Sequence, residues 1–315
     1  MALNSLRSRG DEKQTEDSSS DEKSLGDVTT WATIAGFEFN YYPDHERNPS
    51  AGTGIVYKRV NGLDLELNVV TAGTDVAPRS TLIYFHGGGW VHLKKEDRIL
   101  YLLPYLARGM NTVNVEYRVA NQALAPAAVE DCRCALRWVF KHADEYGFDT
   151  ARIVVAGESA GGHLALLAAM LGPDDGFDKS CAFSLGQSPI GVSAVVNFFG
   201  IVDVLEVLQG PKAMDWAVEW FGDLSGREEL ARKVSPINYV RKGLPPIITV
   251  HGTKDSAVPY PQAVRLHQAL DASAVPNKLV TIHGGHGFRQ FSRAQNLHSM
   301  AQVLAFLEDH GINRR

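Results

Sequence analysis

The sequence contains no long apolar run and no block of basic residues, and each absence excludes a class of protein. A transmembrane helix needs roughly 18 or more consecutive apolar residues, and no part of the 315 residues approaches that length. The 31 basic and 36 acidic residues give a formal charge of −5 without a lysine- and arginine-rich stripe. We therefore expect neither a membrane nor a nucleic acid as a partner.

Cysteine is also scarce, and the three copies are Cys132, Cys134 and Cys181. Cys132 and Cys134 lie two positions apart on a predicted helix and point to different sides, which suits neither a disulfide between them nor a metal site. All three thiols are predicted to be reduced and mostly packed. The sequence also lacks a glycosylation sequon and an apolar signal segment. The default prediction is therefore a cytoplasmic protein.

The organisation along the chain is a polar tail followed by one α/β domain. Residues 1–28 are polar and of low complexity, which predicts a disordered tail. Within residues 29–315, strand-like and helix-like segments alternate from about Tyr57, which predicts a mostly parallel eight-stranded sheet with helices on both faces. The predicted strands are 55–60, 63–70, 81–85, 111–117, 152–157, 194–200, 246–252 and 278–284, and the predicted helices are 97–108, 127–146, 160–171, 261–271 and 292–310.

Two segments do not fit the alternation, namely residues 29–55 and a long excursion at about 203–240. The excursion carries Trp216, Trp220 and Phe221. Ligands in open α/β sheets bind outside the carboxyl ends of the strands, so an insertion after a strand is expected to form a small lid or pocket wall. A purely structural pair of helices is the alternative.

The sequence GESAG, Gly157 to Gly161, joins a run of β-branched residues to a run of helix formers. The chain must reverse its direction within about two residues there, in a backbone conformation that only small neighbours permit. Ser159 would then stand at the tip of the turn, beside the amino end of the next helix. A glycine-rich turn without chemistry is the alternative, so other parts of the chain must decide.

A second glycine motif, HGGG, directly follows a predicted strand. The exposed N–H groups of Gly87 and Gly88, joined by that of Ala160, could stabilise the oxyanion of a tetrahedral intermediate. No Walker motif and no G-x-G-x-x-G motif is present, so neither a nucleotide, another cofactor nor a metal is expected. His86 is predicted to orient the loop by hydrogen bonding, with a second base as the alternative.

A serine nucleophile needs a base, and the base needs an acid that fixes its tautomer. Asp255 and His286 follow the last two predicted strands, in the order Ser, acid, His that this fold requires. His286 lies in a glycine-rich loop and is preferred over His283, which lies where the strand is still ending. Asp203 also follows a strand, but Asp255 is preferred because its loop precedes the strand of the histidine.

The chain resembles the α/β-hydrolase esterases of the hormone-sensitive-lipase type, and still more closely the bacterial acetyl and feruloyl esterase branch. The resemblance covers about residues 55–310 and rests on the motifs YFHGGGW, YRVANQALAPAAVEDCRCALRWV, GESAGGHLALLAAM, SPINYVRKGLPPIITVHGTKDSAVPY and GGHGF. It implies a nucleophile, a base, an orienting acid and an oxyanion hole, which are Ser159, His286, Asp255 and the trio Gly87, Gly88 and Ala160. The expected reaction is hydrolysis of small carboxylic esters, among them acetylated sugars or aromatic esters.

The expected substrates are short. Trp90 follows the oxyanion glycines, and with Trp216, Trp220 and Phe221 it is predicted to shorten the acyl pocket, which favours acetyl to butyryl esters. Two alternatives stay open: a formamide hydrolase similar to kynurenine formamidase, and a non-catalytic binding protein similar to the gibberellin receptors, which have lost the catalytic histidine. The sequence is compatible with a homo-oligomer.

Overall fold

The computed structural model of the chain describes residues 51–72, 78–181 and 190–312. The predicted tail at 1–28 and most of the irregular segment 29–55 lie outside these ranges. None of the helices within them is long and apolar enough to cross a bilayer.

Eight strands form a single sheet in the described ranges, in the order β1-β2-β4-β3-β5-β6-β7-β8. β2 is antiparallel to both of its neighbours, and all other pairs are parallel. The sheet therefore confirms the prediction of eight mostly parallel strands. The strands are β1 (Ala51–Val60), β2 (Leu63–Val70), β3 (Arg79–Phe85), β4 (Asn111–Val115), β5 (Phe148–Glu158), β6 (Ala194–Phe198), β7 (Ile247–Gly252) and β8 (Asn277–Ile282).

The described helices agree with the sequence predictions except in the segment after β3 and at His142, which divides the helix predicted at 127–146 into two. The α-helices are α1 (Leu103–Leu106), α2 (Ala127–Lys141), α3 (Ala143–Tyr146), α4 (Ala160–Met170), α5 (Val204–Leu208), α6 (Asp215–Phe221), α7 (Arg227–Lys233), α8 (Tyr260–Ala272) and α9 (Arg293–Asp309). The single helix predicted at 97–108 is instead a 3₁₀ stretch, Lys95–Leu102, followed by α1. Arg98 interrupts this stretch with a non-helical backbone, at φ −126° and ψ 15°.

Apolar side chains pack on both faces of the sheet. Alternate residues of β3 and β5, such as Ile83 and Val155, belong to the core on one face, where Leu164 of α4 packs. The residues between them, such as Leu82, belong to the core on the other face, where Val303 of α9 packs. Strands buried on both faces explain the continuous apolar runs from which they were predicted.

The excursion at 203–240 forms α5, α6 and α7 and two 3₁₀ turns between β6 and β7. Ala217 and Trp220 of α6 are buried in the same core that contains α4. Apolar burial therefore holds the segment against the domain. It follows the carboxyl end of β6, on the side of the sheet where the predicted site residues also follow their strands.

The cysteines correct the sequence prediction. Cys134 on α2 forms a disulfide with Cys181, and only Cys132 is free and buried. The prediction compared the two cysteines that are close in sequence and could not detect a pair separated by 47 positions. Burial raises the pKa of the Cys132 thiol well above its ordinary value, which keeps the thiol protonated and unreactive.

A buried carboxylate joins three parts of the fold. Asp131 on α2 accepts hydrogen bonds from Lys58 Nζ of β1 at 2.7 Å and from Arg118 Nε, just after β4, at 2.7 Å. The backbone N–H of Arg118 also donates to Asp131 at 3.0 Å. Burial of one acid against two cations with these bonds compensates much of its desolvation.

Candidate active site

Ser159 lies at the junction of β5 and α4 in an unusual backbone conformation, with φ 52° and ψ −120°. Its N–H donates to the carbonyl of Phe198 at 2.8 Å, and its carbonyl accepts from the N–H of His163 at 3.1 Å. These bonds hold the turn in a conformation that non-glycine residues rarely adopt. The hydroxyl therefore projects from the carboxyl edge of the sheet.

The glycines on either side of Ser159 are required by close backbone contacts. A Cβ on Gly157 would collide with the carbonyl of Gly161, and a Cβ on Gly161 would collide with the carbonyl of Phe85 at the end of β3. Only glycine permits this approach. The G-x-S-x-G spacing thus brings the serine close to the loop that follows β3.

The structure brings Ser159, His286 and Asp255 into one hydrogen-bonded chain. His286 Nε2 lies 3.0 Å from Ser159 Oγ, and His286 Nδ1 lies 2.7 Å from Asp255 Oδ2. The three residues follow β5, β8 and β7, whose carboxyl ends share one edge of the sheet. A serine within reach of an imidazole, itself held by a carboxylate, is the geometry of an activated nucleophile.

The two alternative residues lie outside this chain. Asp203 occupies the position before α5 without a side-chain capping hydrogen bond, and its carboxylate lies 3.7 Å from Arg265. His283 Nδ1 lies 3.5 Å from Thr253 Oγ1. Within the described residues, neither Asp203 nor His283 makes a hydrogen bond or an ion pair with Ser159 or His286.

Asp255 is held as an anion inside the protein. Its Oδ1 accepts from the N–H groups of Ala257 at 2.9 Å and Val258 at 2.8 Å. Burial alone raises the pKa of Asp255, but hydrogen bonds from His251, His286 and Val258 outweigh it and lower the pKa to about 2. The carboxylate is therefore ionised at neutral pH and can stabilise a protonated His286.

His86 and Tyr117 support the loop after β3 from the protein interior. His86 is fully buried, its Nδ1–H donates to the carbonyl of Gly87 at 2.8 Å, and its ring stacks on Tyr117 at 4.2 Å. Burial lowers the pKa of His86 to about 4. A neutral, enclosed imidazole that does not line the cavity supports the loop, in agreement with the first of the two roles considered for His86.

The cavity beside Ser159 has a volume of about 260 Å³. Of the four aromatic residues predicted to line it, Trp216 does so. Trp90, Trp220 and Phe221 are fully buried behind it, and Trp90 stacks on Trp220 at 4.1 Å. This corrects the predicted pocket wall, because apolar packing draws the other three rings into the core. The remaining lining residues include Leu93, Tyr101, Phe199, Ala257 and Phe288.

Most of the chain matches a known protein family. Residues 67–270, which contain Ser159 and Asp255, match the family model described as BD-FAE. The chain belongs to the BD-FAE family. This confirms the resemblance to the bacterial acetyl and feruloyl esterase branch.

Individual relatives of this BD-FAE family member are esterases. Esterase LipC of Mycobacterium tuberculosis is 30% identical over 73% of the chain, and the match spans 58% of the length of LipC. The structure of Thermogutta terrifontis esterase 2 with propionate bound is 30% identical, with a TM-score of 0.69, and the match covers 86% of this chain and 98% of that one. The same esterase phosphorylated by paraoxon is 26% identical, with a TM-score of 0.68 and coverage of 88% and 100%. The α/β-hydrolase fold is thereby confirmed.

In this BD-FAE protein His251, which no sequence motif singled out, supports Asp255. His251 is fully buried at the end of β7, and its Nε2 lies 3.0 Å from the carbonyl of Val258 and 3.2 Å from Asp255 Oδ2. Because a carbonyl only accepts, Nε2 carries the proton and can donate to both oxygens. A histidine four residues before the acid, in H-G-x-x-D, is the signal that could have identified it.

The ion pair of Glu158 with Arg98 was likewise not predicted from the sequence. The side chain of Glu158 is 7% exposed, and its Oε1 accepts from Arg98 Nε at 2.5 Å. Burial raises the pKa of Glu158, while Arg98 and a hydrogen bond from the N–H of Gly87 act in the opposite direction. Glu158 thus links the turn at Ser159 to the glycine loop, and its partner cation could not be identified from spacing along the sequence.

Proposed function

We propose that the protein is a serine carboxylesterase that hydrolyses small esters through an acyl-enzyme on Ser159. The observation that carries the proposal is the continuous chain from Ser159 Oγ through His286 to Asp255, at 3.0 Å and 2.7 Å. A complete triad argues against a non-catalytic binding protein that lacks the histidine. The esterase names of the relatives support the same reaction.

The first half of the proposed reaction forms the acyl-enzyme. His286 Nε2 removes the proton of Ser159 Oγ as the oxygen attacks the ester carbonyl, and Asp255 stabilises the imidazolium. The tetrahedral intermediate then collapses, and the imidazolium gives its proton to the departing alcohol oxygen. The positive φ of Ser159 aids the attack on the ester carbonyl, because it presents the hydroxyl at the tip of the turn.

The second half of the reaction repeats these roles with water. His286 takes a proton from water as it attacks the acyl carbonyl, and returns that proton to Ser159 Oγ as the acid leaves. The products are a carboxylic acid and an alcohol, and the enzyme returns to its starting protonation state.

We further propose which N–H groups receive the oxyanion. The N–H of Gly87 already donates to the carboxylate of Glu158. Gly88 and Gly89 also line the cavity, and Ala160 is the first residue of α4. We therefore assign the oxyanion hole to Gly88, Gly89 and Ala160, with Gly87 fixing the loop. This proposal differs from the trio expected from the sequence in one position, Gly89 in place of Gly87. Loss of one such donor typically lowers the rate by about a hundredfold to a thousandfold.

The proposed substrates have short acyl groups. A cavity of about 260 Å³, partly closed by Trp216, leaves room for an ester with a few methylenes. The propionate bound by the Thermogutta esterase is an acid with such a short chain. A small-molecule ester is thus the proposed partner, and a homo-oligomer stays a prediction. A cytoplasmic location also stays a prediction, and the Cys134–Cys181 disulfide weighs against it, because such bonds persist mainly in oxidising compartments.

The triad is tested by three substitutions and two matched controls. Ser159→Ala, His286→Ala and Asp255→Asn should each lower kcat on 4-nitrophenyl acetate by roughly 10⁴-fold or more, because they remove in turn the nucleophile, the base and the carboxylate that orients the base. As controls, His283→Ala and Asp203→Asn should lower kcat less than about tenfold, since neither residue contacts the chain of hydrogen bonds. A larger loss for Asp203→Asn than for Asp255→Asn would contradict the assignment.

A further inference from the structure

The cavity beside Ser159 has more basic than acidic side chains on its wall. Outside the triad its arginine, histidine and carboxylate residues are Arg98, Arg289, His92 and a single acid, Glu158. The whole sequence, in contrast, carries a formal charge of −5. A cavity of sign opposite to the net charge of the chain concentrates ligands of the complementary charge.

The acid on the wall is already engaged by the protein. Glu158 is 5% exposed, and it accepts from Arg98 Nε and from the N–H of Gly87. It therefore has little capacity to bind a cationic group of a substrate. Its charge compensates Arg98 and leaves the charge of Arg289 unbalanced within the cavity wall.

Arg98 retains hydrogen-bonding capacity after these contacts. Its Nε donates to Glu158 and its Nη1 donates to the carbonyl of Asp97 at 3.1 Å, while Nη2 makes no hydrogen bond to the residues that the structure describes. The side chain is 26% exposed and lines the cavity. A guanidinium fixed in this way presents a directed N–H donor at little further entropic cost.

Arg289 supplies the second cation. It lies on the 3₁₀ turn Phe288–Gln290, three residues after His286, so its backbone is tied to the catalytic loop. The side chain is exposed, lines the cavity and makes no ion pair with any residue of the described ranges. An arginine so placed can bind a carboxylate through two parallel N–H donors.

We propose that the cavity selects esters that carry a second, anionic group, namely a carboxylate, which Arg289 binds with the help of Arg98. This inference rests on the proposed esterase function and names its substrate class. A carboxylate is the group that matches the planar guanidinium in size and geometry.

The test compares esters that differ only in charge. One pair places the charge on the leaving group, 4-acetoxybenzoate against 4-acetoxybenzamide, and the other places it on the acyl group, monoethyl adipate against its primary amide. The kcat/KM of the anionic member should exceed that of the neutral member about five- to tenfold in at least one pair. The ratio should fall toward one in 0.5 M NaCl, because salt screens the exposed cation.

Variants assign the preference to Arg289. Arg289→Gln should abolish the anionic preference, whereas Arg289→Lys should retain much of it, since lysine keeps the charge. Arg227→Gln is the matched control, because Arg227 is an exposed arginine on α7 that does not line the cavity. It removes the same charge from the chain and should leave the ratio unchanged.

The outcomes separate this inference from the esterase function. If both members of each pair are hydrolysed at equal kcat/KM, or if Arg289→Gln and Arg227→Gln alter the ratio equally, the anion site is refuted and the esterase stands. If neither member is hydrolysed, and 4-nitrophenyl acetate is not hydrolysed either, the proposed function fails and this inference fails with it.

Discussion

Single side chains at the site do their work through the residues that restrain them. Ser159 is kept at φ 52° by backbone bonds to Phe198 and His163, and none of these involves its hydroxyl. Asp255 is kept ionised by two backbone N–H groups and by His251. Removal of a reactive atom should therefore leave the shape of the site intact, and this is why Ser159→Ala is a clean test.

Trp216 and Trp220 make a matched pair for the length of the acyl pocket. Trp216→Ala should raise kcat/KM for octanoyl relative to butyryl esters by about tenfold, which corresponds to room for roughly two of the four additional methylenes at about 0.8 kcal/mol each. Trp220→Ala should leave this ratio within about twofold, and should instead lower the free energy of unfolding by about 3–5 kcal/mol, because the ring is fully buried.

A 4-nitrophenyl ester series from acetate to decanoate, with urea unfolding of both variants, measures the two effects. An unchanged ratio in Trp216→Ala would show that Trp216 does not limit the length of the acyl pocket. A wild-type optimum at decanoate would contradict the proposal of short substrates.

At the scale of elements, α2 is attached to its surroundings by covalent and ionic bonds. Asp131 pairs with Lys58 of β1, and Cys134 is joined to Cys181 across 47 positions of sequence. A disulfide that closes a loop of this length is expected to stabilise the fold by about 4 kcal/mol. The disulfide thereby fixes the chain around Cys181 to α2.

Counting thiols tests this attachment. Protein purified without reductant and unfolded in guanidinium should react with Ellman's reagent at one thiol, Cys132, and after reduction at three. Reduction should also lower the thermal midpoint, since it releases the cross-link. Cys134→Ser is the control, because it cannot form the bond and reductant should leave its thermal midpoint unchanged. A count of three thiols before reduction would show that the disulfide is absent.

Elements with strong apolar patterns were predictable, and contacts between distant elements were not. The central strands β3 and β5 follow from continuous apolar runs, and the turn at Asn61 and Gly62 has positive φ at both residues, as is typical of the Asn-Gly sequence. The 3₁₀ stretch Lys95–Leu102 was missed because its irregularity lies at Arg98, which pairs with Glu158 in a different element. Local pattern contains no information about such a partner.

The same limit applies to the site. Ser159, Asp255 and His286 were found because each follows a strand within a short motif, and parallel strands end at one edge. His251 and Arg289 were not singled out, since their roles depend on what faces them. Trp90 lies beside the glycine loop and Trp220 in the segment 203–240, and at both positions the sequence pattern fits the core and the cavity equally well. Only the packing of the two rings against each other in the structure places them in the core.

At the scale of the whole molecule, two buried histidines make stability depend on pH. His163 Nε2–H donates to the carbonyl of Val234 at 2.7 Å, while its Nδ1 has no hydrogen-bond partner among the described residues. Burial lowers the pKa of His163 to about 4, and that of His86 likewise to about 4. The unfolded chain, with an ordinary pKa of about 6.5, binds protons more readily than the folded state.

It follows that stability is fully present above about pH 6.5 and is lost as the pH falls toward about 4, because protons then favour the unfolded chain. Each histidine should lower the free energy of unfolding by about 2 kcal/mol between pH 7 and pH 5. Urea unfolding of wild type and His163→Gln at both pH values measures this, since glutamine can still donate to Val234 without titrating. An equal drop in the two proteins would show that His163 does not contribute.

The central claim is that Ser159 is the nucleophile and that His286 activates it. Intact mass and peptide mapping after reaction with a 4-nitrophenyl phosphonate ester test this claim directly. We predict one adduct per chain, located on Ser159, absent from Ser159→Ala and formed at least about a hundredfold more slowly in His286→Ala. An adduct on another residue, or an unmodified Ser159 in protein whose esterase activity the reagent has abolished, would contradict the assignment.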